Sequence, residues 1–176
     1  ADDVGFEAIA MRTLAGKLGV RTPSLYKHVA SLADLQHGIA ALAMSELDGL
    51  TRDAMHGRAG ANALAAFARA FRAYVIEHPG RYRATVGAEF SGTDDPLPES
   101  SVRVMDSIKV VLRGYGIPDE DMDHAVRAMR CTFHGFASLQ TSGGFQWTAD
   151  PEVSFDWMIN FIDRGLRIGA NPQGDS

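Results

Sequence analysis

Ser24, Tyr26, Lys27 and His28 crowd the outward side of one short predicted helix, with Arg21 just before it and Arg12 on the preceding helix. Hydroxyl, ammonium, imidazole and guanidinium groups at this spacing offer hydrogen-bond donors to phosphate oxygens and base edges. They do not make a nucleophile with its base, and nothing elsewhere in the chain does. The histidines at 28, 37, 56, 78, 124 and 134 show no H-E-x-x-H or other compact ligand spacing, and a single cysteine, Cys131, excludes a cysteine-rich zinc site. Gly16-Lys17-Leu18-Gly19 lacks the residue order of a phosphate loop, and Gly114-Tyr115-Gly116 lacks a preceding strand. Ser142-Gly143-Gly144 reads as a helix ending, not a nucleophile turn. No catalytic residue, metal or cofactor is therefore expected.

Positioning the polar cluster falls to Met11 to Leu35, MRTLAGKLGVRTPSLYKHVASLADL, whose spacing describes two short helices set around a tight turn. Leu14, Ala15 and Leu18 share one face of the first helix. Gly19 follows where the chain must leave helical geometry, a place that favours a residue tolerant of positive φ. Val20 is expected to plug the corner. Thr22 is expected to cap the second helix through its hydroxyl, with Pro23 at a position where no intrahelical donor is lost, and Leu25 and Val29 facing inward. Helix, glycine turn and helix also occur in bundles that touch no nucleic acid.

The run Gly19 to Val29, GVRTPSLYKHV, resembles the recognition segment of the TetR family of transcriptional regulators, whose motif reads G-V-x-x-x-x-L-Y-x-H-F/V. The match includes Tyr26 and His28, which packing alone does not require. The resemblance implies that Arg12 reaches a guanine edge, that Thr22, Pro23 and Ser24 form the base-facing turn, and that Tyr26 and His28 contact the DNA backbone. Lys27 sits where the family varies, to read a base or to neutralise phosphate. Leu32 departs from the pattern, because many members carry a phosphate-gripping lysine there; a backbone amide of the next helix could still accept a phosphate. The first residue is not Met, and in a TetR-like chain the first helix, before Gly5, would be mostly missing.

The rest of the chain reads as all-α. Ser31 and Asp34 make a capping box for a long helix to about Met55, with Leu35, Ile39, Leu42, Glu46 and Leu50 at helical spacing. After a break at His56 to Gly60, an apolar stripe runs Leu64, Phe67, Ala68, Phe71, Tyr74 and Val75 to His78-Pro79-Gly80. A shorter helix is expected from Arg81 to about Phe90, a loop from Ser91 to Pro98, and a helix carrying Val102, Met105, Ile108, Val111 and Leu112. Pro118-Asp119-Glu120 and Asp150-Pro151-Glu152 open the last two helices. The division expected is a helix-turn-helix DNA-binding domain at 1–38 and a helical ligand-binding and dimerisation domain at 39–176.

In the last two helices Ala125, Met129, Phe133, Phe136 and Leu139 share a face, as do Phe155, Met158, Ile159, Ile162 and Leu166, while Trp157 and Phe161 lie on a second. A helix apolar on two sides is covered on both, by its own core or by a second copy. The resemblance implies a four-helix homodimer interface here, for which Phe136, Phe155, Met158, Ile162 and Leu166 are the candidates; FHGFASLQ at Phe133 to Gln140 looks like a subgroup carrying a His-Gly pair. It also implies an operator palindrome with half-sites about 34–36 Å apart or a multiple, and a repressor released when a small-molecule effector enters among the helices. Candidate pocket residues are Phe67, Phe71, Tyr74, Met105, Ile108, Arg130, His134 and Trp147, although for each taken singly plain core packing is the better reading.

Composition agrees: 176 residues with 45% hydrophobic content suffice for one core and a small module. The lone Cys131 permits no internal disulfide and is expected to be a small buried apolar group. Neither a membrane span nor a signal peptide is read, so a cytoplasmic location with no membrane partner is expected. A net charge of -5 opposes nonspecific DNA binding, and residues 1–40 are locally neutral. Two other functions stay open: a helical small-molecule binding module that has lost DNA binding, and a helical enzyme.

Overall fold

Two separate apolar clusters, one small and one large, are threaded by a single long helix. The structure is a computed structural model that describes residues 1–89, 95–146 and 148–169, and every regular element among them is an α-helix. The chain forms α1 (Met11–Lys17), α2 (Thr22–Leu25), α3 (Leu32–Met55), α4 (Gly60–Glu77), α5 (Pro79–Thr85), α6 (Pro96–Arg113), α7 (Asp119–Thr141) and α8 (Pro151–Gly169). None is long and apolar enough to cross a membrane.

Met11, Ala15 and Leu25 are the buried centre of the head, with Leu14, Val29, Leu32 and Leu35 packed around them. Leu32 and Leu35 belong to α3, so the head is built on the first turns of that helix. Half of the expected capping box forms: Ser31 Oγ accepts from Asp34 N at 3.0 Å, while the Asp34 carboxylate reaches one residue beyond the cap and accepts from Ala30 N at 2.8 Å. At 24 residues α3 is about 36 Å long, and beyond the head it packs against α4, α5 and α6.

That sandwiching moves its buried face. Ala40, Ala43, Met44, Leu47 and Thr51 are enclosed, whereas Leu42 and Leu50 of the series at helical spacing are exposed. Small alanines let three neighbours approach closely, so the inward side is set by tertiary contact and not by the largest apolar groups. Leu18, on the expected apolar face of α1, and Val20, expected to plug the corner, are likewise exposed. Cys131 is exposed too, against its expected burial, because it points away from the α7 face carrying Met129 and Phe133.

Helix limits shift for local reasons. α2 is one turn long, capped by the extended backbone of Arg21 with no side-chain bond, so Thr22 is the first helical residue and not the cap. α5 begins at Pro79 and stops at Thr85, ahead of the expected Phe90, because Val86 turns extended and Gly87 takes φ +78. α6 begins at Pro96, inside the expected loop: the Asp95 carboxylate accepts from Leu97 N at 2.9 Å, and Pro96 has no donor to lose.

The stripe on α4 is buried as predicted, from Leu64 through Phe67, Ala68, Phe71, Tyr74 and Val75. Against it lie α7 and α8, joined through Arg72, whose guanidinium is enclosed yet fully engaged. It donates to both Glu152 oxygens at 2.6 and 2.7 Å and to Gln140 Oε1 at 2.8 Å, and lies 4.8 Å from the Phe155 ring centroid. Removing Glu152 strands a buried cation, whereas removing both charges does not. Because Glu152 is itself 71% exposed and Gln140 still accepts from Arg72, Glu152→Ala is expected to destabilise by only about 1 kcal/mol, and adding Arg72→Met to recover part of that loss. Urea denaturation of the two single variants and the double checks this; a double variant as unstable as the summed singles contradicts it.

Candidate nucleic-acid interface and inner cavity

The turn between α1 and α2 closes as a left-handed glycine cap. Gly19 takes φ +66, Gly19 N bonds Gly16 O at 3.2 Å, and Val20 N bonds Ala15 O at 3.0 Å. A Cβ at Gly19 meets no neighbour, so the requirement for glycine is conformational. The cap turns the chain so that α2 leaves α1 with Leu25 inward and its polar residues outward.

Of the eight sequence-predicted contact residues, Arg12, Arg21, Pro23, Tyr26, Lys27 and His28 are exposed, and Thr22 and Ser24 half-buried. Tyr26 keeps 53% of its surface in solvent although it is aromatic. Among the described residues no hydrogen bond or ion pair engages the side chains of Arg12, Arg21, Tyr26, Lys27 or His28. Lys17, by contrast, is held 3.0 Å from Asp3, which lowers the Asp3 carboxyl below its ordinary range. The head thus presents to solvent three unneutralised cations, a phenol and an imidazole, groups suited to a polyanion.

Below the head lies a cavity of about 300 Å³. Of the predicted pocket residues, Phe67, Phe71, Met105, Ile108 and Arg130 line it. Tyr74 does not: its hydroxyl donates to Glu46 at 2.8 Å on another side of α4, and burial with that carboxylate pushes its pKa up. His134 does not either; it faces a separate cleft with Pro79 and Ser138. Trp147 lies outside the described residues. Sequence reasoning missed Tyr82, Phe133, Met44, Leu47, Leu97 and Val104 as lining; Phe133 stood on a predicted apolar face, whereas the short α5 gives Tyr82 no periodic signal.

Tyr82 separates cavity from cleft and hydrogen bonds to His134 Nδ1 at 2.8 Å. Burial pushes the Tyr82 phenol up to about 12. Burial, then the charges of Arg130 and Arg83, hold His134 below its ordinary 6.5. The unfolded chain therefore takes up a proton near pH 6.5 that the folded one resists, and stability falls as pH drops from about 7 toward 5.5. The thermal midpoint of His134→Gln should decline less over that interval than the parent's; equal declines contradict the assignment.

Two ties link these regions. His37, on α3 just past the head, lies 2.7 Å from Asp95 at the start of α6, beside Leu97 of the cavity wall. Asp2 accepts from Arg81 N at 2.8 Å and pairs with its guanidinium at 2.9 Å, fastening the residues before α1 to α5. No sequence signal announced either, since the partners lie far apart in the chain.

On α8, Phe155 is enclosed by its own core, so it cannot present to a second copy as expected; Phe136, Met158, Ile162 and Leu166 pack half-buried against that core. The outward apolar side is one step round the helix. Val153, Trp157, Phe161 and Ile168 form its stripe, with Trp157 61% and Phe161 59% exposed and their rings stacked 5.4 Å apart.

A family model described as tetracyclin repressor-like, C-terminal domain, matches residues 64–162. An HTH-type transcriptional regulator of Mycobacterium tuberculosis is 30% identical over 96% of this chain and 74% of its own length. Among solved structures, the TetR family regulator PfmR of Thermus thermophilus superposes with a TM-score of 0.68 at 22% identity, covering 93% of this chain and 92% of its own. A single-substitution variant of TetR from Acinetobacter baumannii, in complex with minocycline, gives 0.65 at 19% identity, covering 99% and 92%. With the glycine-capped head, the helical bundle below it and these matches taken together, the chain belongs to the TetR family of helix-turn-helix transcriptional regulators.

Proposed function

We propose that the protein is a homodimeric repressor that binds palindromic operator DNA in the cytoplasm and is released by a small molecule. The observation that carries this reading is the outward set Arg12, Arg21, Tyr26, Lys27 and His28, exposed and without side-chain partners among the described residues, on a head held by its own small core. The contact roles are those of the resemblance: Arg12 with Thr22, Pro23 and Ser24 toward bases, Tyr26 and His28 toward the backbone. Residues 1–38 act as the DNA-binding unit and 39–176 as the ligand-binding and dimerisation unit, with α3 crossing between them. The dimer forms through α7 and α8, with Trp157 and Phe161 at its centre.

The effector acts from the inner cavity, supported by the minocycline complex of a structural neighbour. Met44 and Leu47 of α3 line that cavity and Leu32 and Leu35 of the same helix hold the head, so a ligand that prefers one placement of α3 changes the separation of the two heads. No catalytic role is assigned to any residue. Selection of bound duplexes from a random pool tests the reading. Enrichment of an inverted repeat with half-sites about one or two helical turns apart is expected; recovery of no common sequence supports a binding module without an operator.

A further inference from the structure

We infer that the inner cavity selects a small monoanion with an aryl body, its carboxylate held at the mouth by Arg130. This rests on the reading of the cavity as the effector site and adds the chemical class of the effector. Arg130 is the only ionised side chain among the described lining residues, which include no carboxylate. Arg83, which like Arg130 acts on His134, lies 2.8 Å from a Glu7 carboxylate oxygen, whereas among the described residues no ion pair engages Arg130. Its charge nevertheless reaches the interior, where it acts on both Tyr82 and His134. A cationic ligand would meet that field unopposed, and a carboxylate would find a planar fork able to grip both oxygens.

The body of the ligand follows from the walls. Phe67, Phe71, Phe133 and Tyr82 form one continuous aromatic side, with neighbouring centroids 5.5 to 6.4 Å apart. Met44 and Met105 supply pliable thioethers, which pack well on ring edges. Ser101 and Thr85 supply aliphatic hydroxyls to the lining beside the Tyr82 phenol, which is engaged by His134, and Thr85 donates to Tyr82 O at 2.8 Å. A volume of about 300 Å³ lies at the small end of the ~300–1,000 Å³ usual for ligand sites, so the occupant is closer to one ring with a short acid chain than to a polycyclic compound.

Calorimetric titration with 4-phenylbutyrate, 4-phenylbutanamide and 4-phenylbutylamine tests the class, using the full chain and its Arg130→Leu variant. Arg130 is exposed, so the variant should fold, which circular dichroism verifies. The carboxylate should bind at least tenfold more tightly than the amide or amine, and Arg130→Leu should abolish that preference while leaving amide binding intact. Amide or amine binding as tight as the acid, no binding by any of the three, or a preference for acid that survives in Arg130→Leu overturns the proposal. Duplex release, followed by gel shift, separates the two claims. Acid-selective binding without release sinks the effector reading alone, and release driven by the amine sinks the anion class alone.

Discussion

Protein carrying both Trp157→Asp and Phe161→Asp is expected to sediment as a monomer at concentrations where the parent is dimeric. The two rings are stacked and about three-fifths exposed, so each leaves roughly 90–150 Å² to be covered by a partner. Four such rings at a two-fold interface correspond to about 9–15 kcal/mol of gross apolar burial, comparable to the whole cost of association. Aspartates there would also face each other across the symmetry axis. Because Phe155 and Ile159 on the inner side of α8 are untouched, the monomer should keep its helical circular dichroism and unfold cooperatively. Affinity for a palindromic duplex should fall at least a hundredfold, since one head loses the help of the other. An unaltered dimer would place the interface elsewhere.

The same helix illustrates what could be read beforehand. Its two apolar faces, one through Phe155 and one through Trp157 and Phe161, are plain in the spacing, but which face a subunit keeps for itself depends on α4 and α7 and is not written in the periodicity. Local devices read well: the Gly19 cap, the Ser31 box and the α4 stripe all depend on residues within one or two turns of each other. Features that depend on distant partners did not. The inward side of α3 follows from three neighbouring helices, which favour Ala40 and Ala43 over Leu42; the His37–Asp95 and Tyr82–His134 pairs join residues more than fifty positions apart. Five of the eight pocket candidates line the cavity because they sit on long periodic helices, whereas Tyr74 and His134 needed a direction that spacing does not supply.

Arg12→Ala with Lys27→Ala is the second change of large expected effect, this time on DNA and not on assembly. A bidentate base contact is worth about 1–3 kcal/mol, and each subunit of a dimer contributes one Arg12 and one Lys27. Loss of both pairs should weaken operator binding by about a hundredfold to a thousandfold. The dependence of log affinity on log salt should also become shallower, by about one for each phosphate contact removed. Both side chains are exposed and, among the described residues, without ion pairs, so stability should move by no more than about 0.5 kcal/mol. Fluorescence anisotropy across a salt series, with a denaturation curve for each variant, reads both quantities. Loss of affinity accompanied by unfolding, or affinity unchanged in a folded double variant, would count against the proposed face.

The central claim is that the side of the head carrying Tyr26, Lys27 and His28 meets the duplex, and the chain contains a convenient internal control. Its three lysines are Lys17 and Lys27 in the head and Lys109 on α6. Acetylation with a soluble activated ester, quantified by peptide mass spectrometry with and without the selected duplex, compares them within one sample. Protection of Lys27 by at least tenfold with Lys109 unchanged is the predicted result. Lys27 modified at the same rate in the bound and free protein would contradict the account.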